Sequence, residues 1–312
     1  MPRHLARRRT RRHVRITAVA GLAALALLVG AVPASASQPA AVIHSQLQER
    51  GPAGGGGYLF WLQNSVADPN HSVLFAKKSG RPKFRVNAPN TQGWSGGIDG
   101  STLVYQQTNM ASTKSDLFLF NLATKMRTKL PPAVNTPAWE FWPSMSGDFI
   151  TFGRWIPSTN VWKELLFQRG HDSATTLDSI QGKGKTSIGN GQINGNFLVW
   201  EKCDARGNCQ VFERDLEAGT TTKIPNPQSK SQYAPSVTSD GAVFFGRSGI
   251  GCGTHVSVVE DPLDGPQKVL FSLPVGIDFE RSSVVVGATP TAVLFDRVKS
   301  DPVQWDIYRF TA

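Results

Sequence analysis

The sequence is short of cysteine, methionine and charge. Of its 312 residues, 3 are Cys, 4 are Met and 18% are charged. Three cysteines are too few for a disulfide-built miniprotein. The histidines beyond residue 36 are His44, His71, His171 and His255, and none has the His-x-x-x-His spacing of a zinc site. No stretch after residue 36 approaches the roughly 20 apolar residues that a membrane-spanning helix needs. Acidic residues are absent from residues 1–36, which hold seven arginines (Arg3, Arg7, Arg8, Arg9, Arg11, Arg12, Arg15). With those set aside, 26 Lys and Arg face 23 Asp and Glu, so the formal +10 falls to +3 over 276 residues. That balance gives no reason to invoke nucleic acid.

Residues 1–36 read as an export address. A basic segment, an apolar run over 16–32 and the small-x-small triplet Ala34-Ser35-Ala36 form a signal-peptide pattern, with the mature chain starting near Ser37. The alternative is a retained anchor. Arg11-Arg12 partly matches a twin-arginine signal, and Sec export is equally open. The expected location is secreted, extracellular or in the cell envelope. Export suits the pair Cys203 and Cys209, which bracket a turn between two strand-like runs and so fall within disulfide reach. A metal pair is the alternative, but no further ligand has suitable spacing. Cys252 is left over. No cofactor and no metal are expected.

What the chain has in quantity is glycine, 30 residues, and proline, 20. These suit a fold made of turns. Runs ending in an aromatic recur at Trp61, Tyr105, Phe152, Trp200, Phe245 and Phe295, spaced 44, 47, 48, 45 and 50 residues apart. Tight-turn pairs precede five of them: Asp99-Gly100, Gly147-Asp148, Asn194-Gly195, Asp240-Gly241 and Thr289-Pro290. Each unit adds an opening strand and two further alternating runs, and none contains a convincing helix. Four short antiparallel strands at this period are a propeller blade, because one small sheet cannot bury both faces alone. The reading is an all-β, six-bladed propeller closed by an N-terminal strand near Val42-Ile43. Its boundaries are 1–36 signal, 37–57 closing strand and Gly-rich link, and 58–312 propeller. The first unit lacks a clear innermost strand and the last lacks its fourth.

Pro143-Ser144-Met145-Ser146-Gly147-Asp148 and Pro235-Ser236-Val237-Thr238-Ser239-Asp240-Gly241 resemble the first half of the TolB-type (WD40-like) propeller repeat. Asp116-Leu117 through Thr124 and Asp215-Leu216-Glu217-Ala218-Gly219 resemble its second half. The resemblance covers about residues 58–312 and implies six blades. It departs at Phe167–Asp172 and at Val284–Val286. Some family members carry a separate N-terminal domain or a hydrolase domain; the expectation here is the propeller alone.

Gly93-Trp94-Ser95-Gly96-Gly97 matches a nucleophile-elbow pattern, but it falls on a strand without the strand-turn-helix context that chemistry requires. Gly182-Lys183-Gly184-Lys185-Thr186 reads as a basic loop able to touch an anion, and Lys77, Lys78, Arg81, Lys83 and Arg85 as a solvated basic hairpin. The residues expected to ring the channel mouth are Trp94, Glu140, Phe141, Asn190, Gln232, Tyr233, Glu280 and Arg281. Aromatics beside carboxylates and amides suit a glycan or protein ligand. The function expected is a monomeric, non-catalytic binding propeller, with no nucleic-acid partner and no membrane span after signal cleavage. The alternatives are a channel-mouth hydrolase such as a glycosidase using Glu140 and Glu280, and a cell-envelope scaffold.

Overall fold

A computed structural model of the chain describes residues 40–43, 47–65, 68–94, 96–109, 114–249, 255–274, 282–285, 292–300 and 303–311. Residues 1–36, Cys252, Glu280, Arg281 and Ser95 lie outside the described residues. All described elements are strands within one compact unit, Ala36–Ala312. Among the described residues no helix is long and apolar enough to cross a membrane.

Five antiparallel sheets are built from consecutive strands, and they are the blades of a propeller. The first comprises Gln48–Gly55, Tyr58–Ser65, Asp68–Lys78 and Phe84–Arg85. The second comprises Thr91–Trp94 with the short Ile98–Asp99, then Thr102–Asn109, Ser115–Asn121 and Arg127–Lys129. The third is Trp139–Ser146, Phe149–Ile156, Val161–Gln168 and Ala174–Gln181. The fourth is Ser187–Asn194, Phe197–Cys203, Cys209–Asp215 and Thr220–Lys223. The fifth is Lys230–Val237, Val243–Gly249, His255–Asp261 and Lys268–Pro274.

Two expectations change here. Six blades were expected, and the structure shows five; among the described residues three strands follow the fifth blade along the chain. Those three, Ser282–Val285, Ala292–Ser300 and Val303–Thr311, form one further sheet with the N-terminal strand Ala40–Ile43. The Gly-rich link is also no link. Gln48–Gly55 pairs with Tyr58–Ser65 and is the innermost strand of the first blade. Gly56 and Gly57 make the turn between them, with φ of 55° and 78°. The alternation of this strand is hidden because five of its eight residues are Gly, Ala or Pro.

The turns behave as their residues dictate. Gly100, Gly147, Gly195 and Gly241 hold φ between 56° and 85° before the second strand of their blades, a region that glycine enters without steric cost. Period-2 alternation then divides each second strand between two neighbours. Leu103 and Tyr105 pack toward the first blade with Phe60 and Leu74, while Val104 packs toward the third with Ile150 and Phe152. Leu198 and Trp200 face the third blade's Trp162, and Val199 faces the fifth blade's Val243 and Phe245. Each fully buried aromatic of this kind contributes roughly 1.5–3 kcal/mol.

Amides sew the blades together. Asn87 accepts from Leu74 N–H at 2.9 Å and donates to Thr91 O at 2.7 Å. Asn135 accepts from Leu117 N–H at 2.7 Å and donates to the carbonyls of Leu117 and Leu130. Both satisfy backbone groups of a third strand just before the chain crosses to the next blade.

Candidate ligand-binding face

The innermost strands share a bulge. Register slips between Arg50 and Ala53, Phe141 and Ser144, Gly189 and Gln192, and Tyr233 and Ser236. At these slips Gly51, Trp142, Asn190 and Ala234 sit in the left-handed region, with φ of 55°, 48°, 52° and 51°. Such a conformation costs of order 1–3 kcal/mol for a residue with a side chain, so it persists only where neighbours hold it. Side chains of other strands supply them. Gln106 accepts from Trp142 N–H at 3.3 Å. Glu201 accepts from Ala234 N–H at 2.7 Å and from the Asn190 side chain at 2.9 Å. Burial pushes the Glu201 carboxyl above its ordinary range, and these two hydrogen bonds pull against that rise. Bulges re-aim side chains, and here they set apart the end of each sheet where the inner strand begins.

On the third blade that end carries a row of indoles. Register places Trp139 opposite Trp155 and Trp155 opposite Trp162. Ring centroids are 5.6 Å apart in both pairs, edge-on in the first and stacked in the second. Phe141 meets Trp142 at 4.8 Å and Trp162 at 5.4 Å, both edge-on. Trp139, Trp142, Trp155 and Trp162 are half-buried, whereas Phe141 is buried. Trp155 Nε1 donates to Asn160 at 3.1 Å, which fixes that ring. The cluster needs glycine beneath it. A Cβ on Gly153 would come within 2.1 Å of Phe141, and one on Gly189 within 2.5 Å of Trp142.

The sequence-derived mouth residues divide by environment. Trp94, Asn190 and Tyr233 are half-buried on inner strands, and Phe141 joins the indole cluster. Gln232 is fully buried as an interblade clamp: it accepts from Val211 N–H at 3.1 Å and from Gln210, and donates to Pro225 O at 2.9 Å. Glu140 is fully buried too. Its Oε1 accepts from Arg154 Nε at 3.0 Å and from the Thr136 hydroxyl at 2.7 Å. Burial pushes its carboxyl up, against the pull of Thr136 and Arg154. That ion pair ties the first two strands of the third blade to each other, and the Thr136 bond ties them to the loop before it. Glu280, its suggested catalytic partner, lies outside the described residues, as does Arg281. Trp139, Trp155 and Trp162 were missed. Their signal was the hairpin 155–162, whose two tryptophans lie at equal distances from its turn.

The opposite ends of the inner strands enclose a cavity of about 210 Å³, lined by Gly55, Asp99, Ser144, Gln192, Asn194 and Ser236 among others. Its polar groups already tie blade to blade. Asp99 accepts from Gly147 N–H at 2.6 Å, Ser146 from Gly195 N–H at 3.0 Å, and Asn194 donates to Val237 O at 3.3 Å. Among the described residues no group of three His, Cys, Asp or Glu could hold a metal ion. The expected disulfide is present, joining Cys203 and Cys209 directly across their hairpin. In the basic hairpin of the first blade, Arg85 is turned onto the carbonyls of Asn87, Ala88 and Thr91, and Lys83 onto Gln63.

Comparison with solved structures returns propellers. A putative TolB from Agrobacterium tumefaciens superposes with a TM-score of 0.55 at 15% identity, over 86% of this chain and 91% of that one. TolB from Acinetobacter baumannii gives 0.54 at 14% identity, over 81% and 63%. A prolyl endopeptidase gives 0.53 at 15% identity, over 83% of this chain but 39% of that one. The chain thus spans less than two thirds of the length of the latter two. At these identities the likeness shows the fold alone: a β-propeller. No family model and no curated protein matches the sequence.

Proposed function

We propose that this chain is an exported, non-catalytic binding propeller whose ligand stacks on the aromatic row of the third blade. The observation that carries the reading is the row itself: three half-buried indoles, Trp139, Trp155 and Trp162, in ring contact at one end of one sheet. Tryptophan supplies rigid, amphipathic contact area at low entropic cost, and each of these rings keeps part of its surface in solvent. The ligand class that fits is a glycan. A sugar ring has an apolar C–H face to lay on an indole and a rim of hydroxyls left to hydrogen-bond polar groups around it.

Titrating tryptophan emission with a glycan panel tests this. The wild type should show a saturable change with at least one glycan, and Trp155→Ala and Trp162→Ala should each weaken it at least about tenfold, a loss of about 1.4 kcal/mol. A response unchanged in both variants, or binding of proline-rich peptides in place of glycans, would overturn the ligand class.

Beside the five blades, the sheet formed by Ala40–Ile43 with the three C-terminal strands is read as the element that closes the ring, with Ala40–Ile43 as its closing strand. Three features support this. Ala40, Ala41 and Ile43 pair with Arg309, Tyr308 and Ile307. Ser282–Val285 lies against the innermost strands of both the first and fifth blades. Trp61 of the first blade packs on Ile43. Closure removes the free sheet edges that otherwise invite aggregation. Export of the chain, with residues 1–36 as its signal, is supported by the arginine-rich start and by the disulfide.

A further inference from the structure

The loop Lys183-Gly184-Lys185 has no phosphate-loop context, yet the fold puts it to use. It lies against the disulfide hairpin of the fourth blade. Lys185 N–H donates to Ala205 O at 3.1 Å, and a Cβ on Gly207 would touch the Lys185 stem at 3.1 Å. Beside this junction is a cavity of about 340 Å³, lined by the Cys203–Cys209 disulfide, Phe212, Ile180 and three lysines, Lys202, Lys223 and Lys230. The lysines come from three different strands, so nothing in local sequence groups them.

The charge balance is one-sided. Lys202 is paired with Asp178 at 2.8 Å. The carboxylate of Asp204, the other acid at the cavity, is consumed by its own turn. It accepts from Arg206 N–H at 2.8 Å, from Asn208 N–H at 3.0 Å and from the Asn208 side chain at 3.2 Å. Lys223 and Lys230 are exposed and form no ion pair with a described carboxylate. Arg206, Lys183 and Lys185 add positive charge on the surrounding loops.

We propose that this cavity binds an oxyanion, a phosphate or sulfate group, with Lys223 and Lys230 as its principal charges. The disulfide fixes one wall, and the Phe212 and Ile180 side chains offer an apolar floor for whatever carries the anion. Lysine suits the role because its ammonium is a compact point charge on a flexible stem. Ile180 pairs across strands with Trp162, so this cavity adjoins the aromatic row, but its two principal lysines take no part in the row.

The test is calorimetric titration with inorganic phosphate, then with polyphosphate and heparin, each against sodium chloride at matched ionic strength. Saturable binding of phosphate or sulfate groups beyond the chloride control is expected, weakened at least about tenfold in a Lys223→Gln/Lys230→Gln double variant. Because both lysines are exposed, that variant should keep the wild-type thermal transition, and its circular dichroism confirms that it folds. Preference for the polymers over inorganic phosphate would identify a polyanionic chain as the carrier; equal affinity per phosphate would identify a small phosphorylated ligand. No heat beyond the chloride control for any of the three anions, or undiminished binding by the folded double variant, would overturn the proposal. Retention of glycan-dependent emission in the same variant separates failure here from failure of the aromatic-row reading.

Discussion

Glu164 should make this protein less stable as pH rises. Its side chain is fully buried on the third strand of the third blade. Burial, reinforced by the nearby Asp178 and Glu201 charges and opposed by the hydrogen bond with Thr151, pushes its carboxyl up to about 8. The hydrogen bonds fit a neutral acid. The Thr151 hydroxyl has one proton but two oxygen neighbours, Glu164 Oε1 at 2.5 Å and Leu165 O at 3.0 Å. A protonated Glu164 supplies the second proton. The cavity for the carboxyl exists because residue 191 is glycine: a Cβ there would lie 2.1 Å from Oε1.

The sign of the effect follows from linkage. The folded pKa lies above the unfolded value of about 4.5, so the folded state holds this proton more tightly. The contribution to stability is fully present below about pH 4.5 and is lost as pH rises through about 8. At roughly 1.4 kcal/mol per pKa unit, the full loss is of order 5 kcal/mol, and about 3 kcal/mol of it is gone by pH 7. Glu164→Gln keeps the shape and offers an amide donor to Thr151, but cannot ionise. Denaturant unfolding at pH 5, 7 and 9 should show the wild type losing stability relative to the variant by a few kcal/mol across this range. The difference between the two proteins is the measurement, since Glu140, Glu201, Glu213 and Asp261 are also shifted upward. Parallel curves between pH 5 and 9 would refute the reasoning.

Two further outcomes follow from the packing. Gly153→Ala should drive Phe141 off its seat and cost roughly 1–3 kcal/mol by overpacking, with a changed near-ultraviolet circular dichroism band from the indole row; an unchanged band and midpoint would contradict the close approach seen here. Cys203→Ser/Cys209→Ser should lower stability by about 2 kcal/mol, the loop-entropy value for so short a ring, and reductant should lower the wild type by the same amount while leaving the variant unmoved.

The repeat was legible because its causes are local. Asp99-Gly100, Asn194-Gly195 and Asp240-Gly241 mark turns whose glycines need positive φ, and alternating runs such as 116–122 mark strands buried on both faces. Cys203 and Cys209 were legible for the same reason, since one hairpin register sets their distance. The first inner strand was not legible, because Gly51, Pro52, Gly54 and Gly55 carry no alternating pattern. Only pairing with Tyr58–Ser65 reveals it as a strand. The roles of Glu140 and Gln232 were hidden too. A carboxylate or amide at the start of an inner strand looks like a mouth residue until the neighbouring strand supplies Arg154 to one and Val211 N–H to the other.

Sequence alone determined that this chain is a set of repeated four-stranded antiparallel sheets with a stapled hairpin, since turn chemistry and period-2 alternation act over a few residues. Tertiary structure decided which side chains meet. Trp139, Trp155 and Trp162 share a row only through cross-strand register, and Lys202, Lys223 and Lys230 share a cavity only because three strands end beside one another. Contacts of that kind depend on where strands stack, and stacking is settled by the burial of whole sheet faces rather than by any neighbouring pair of residues.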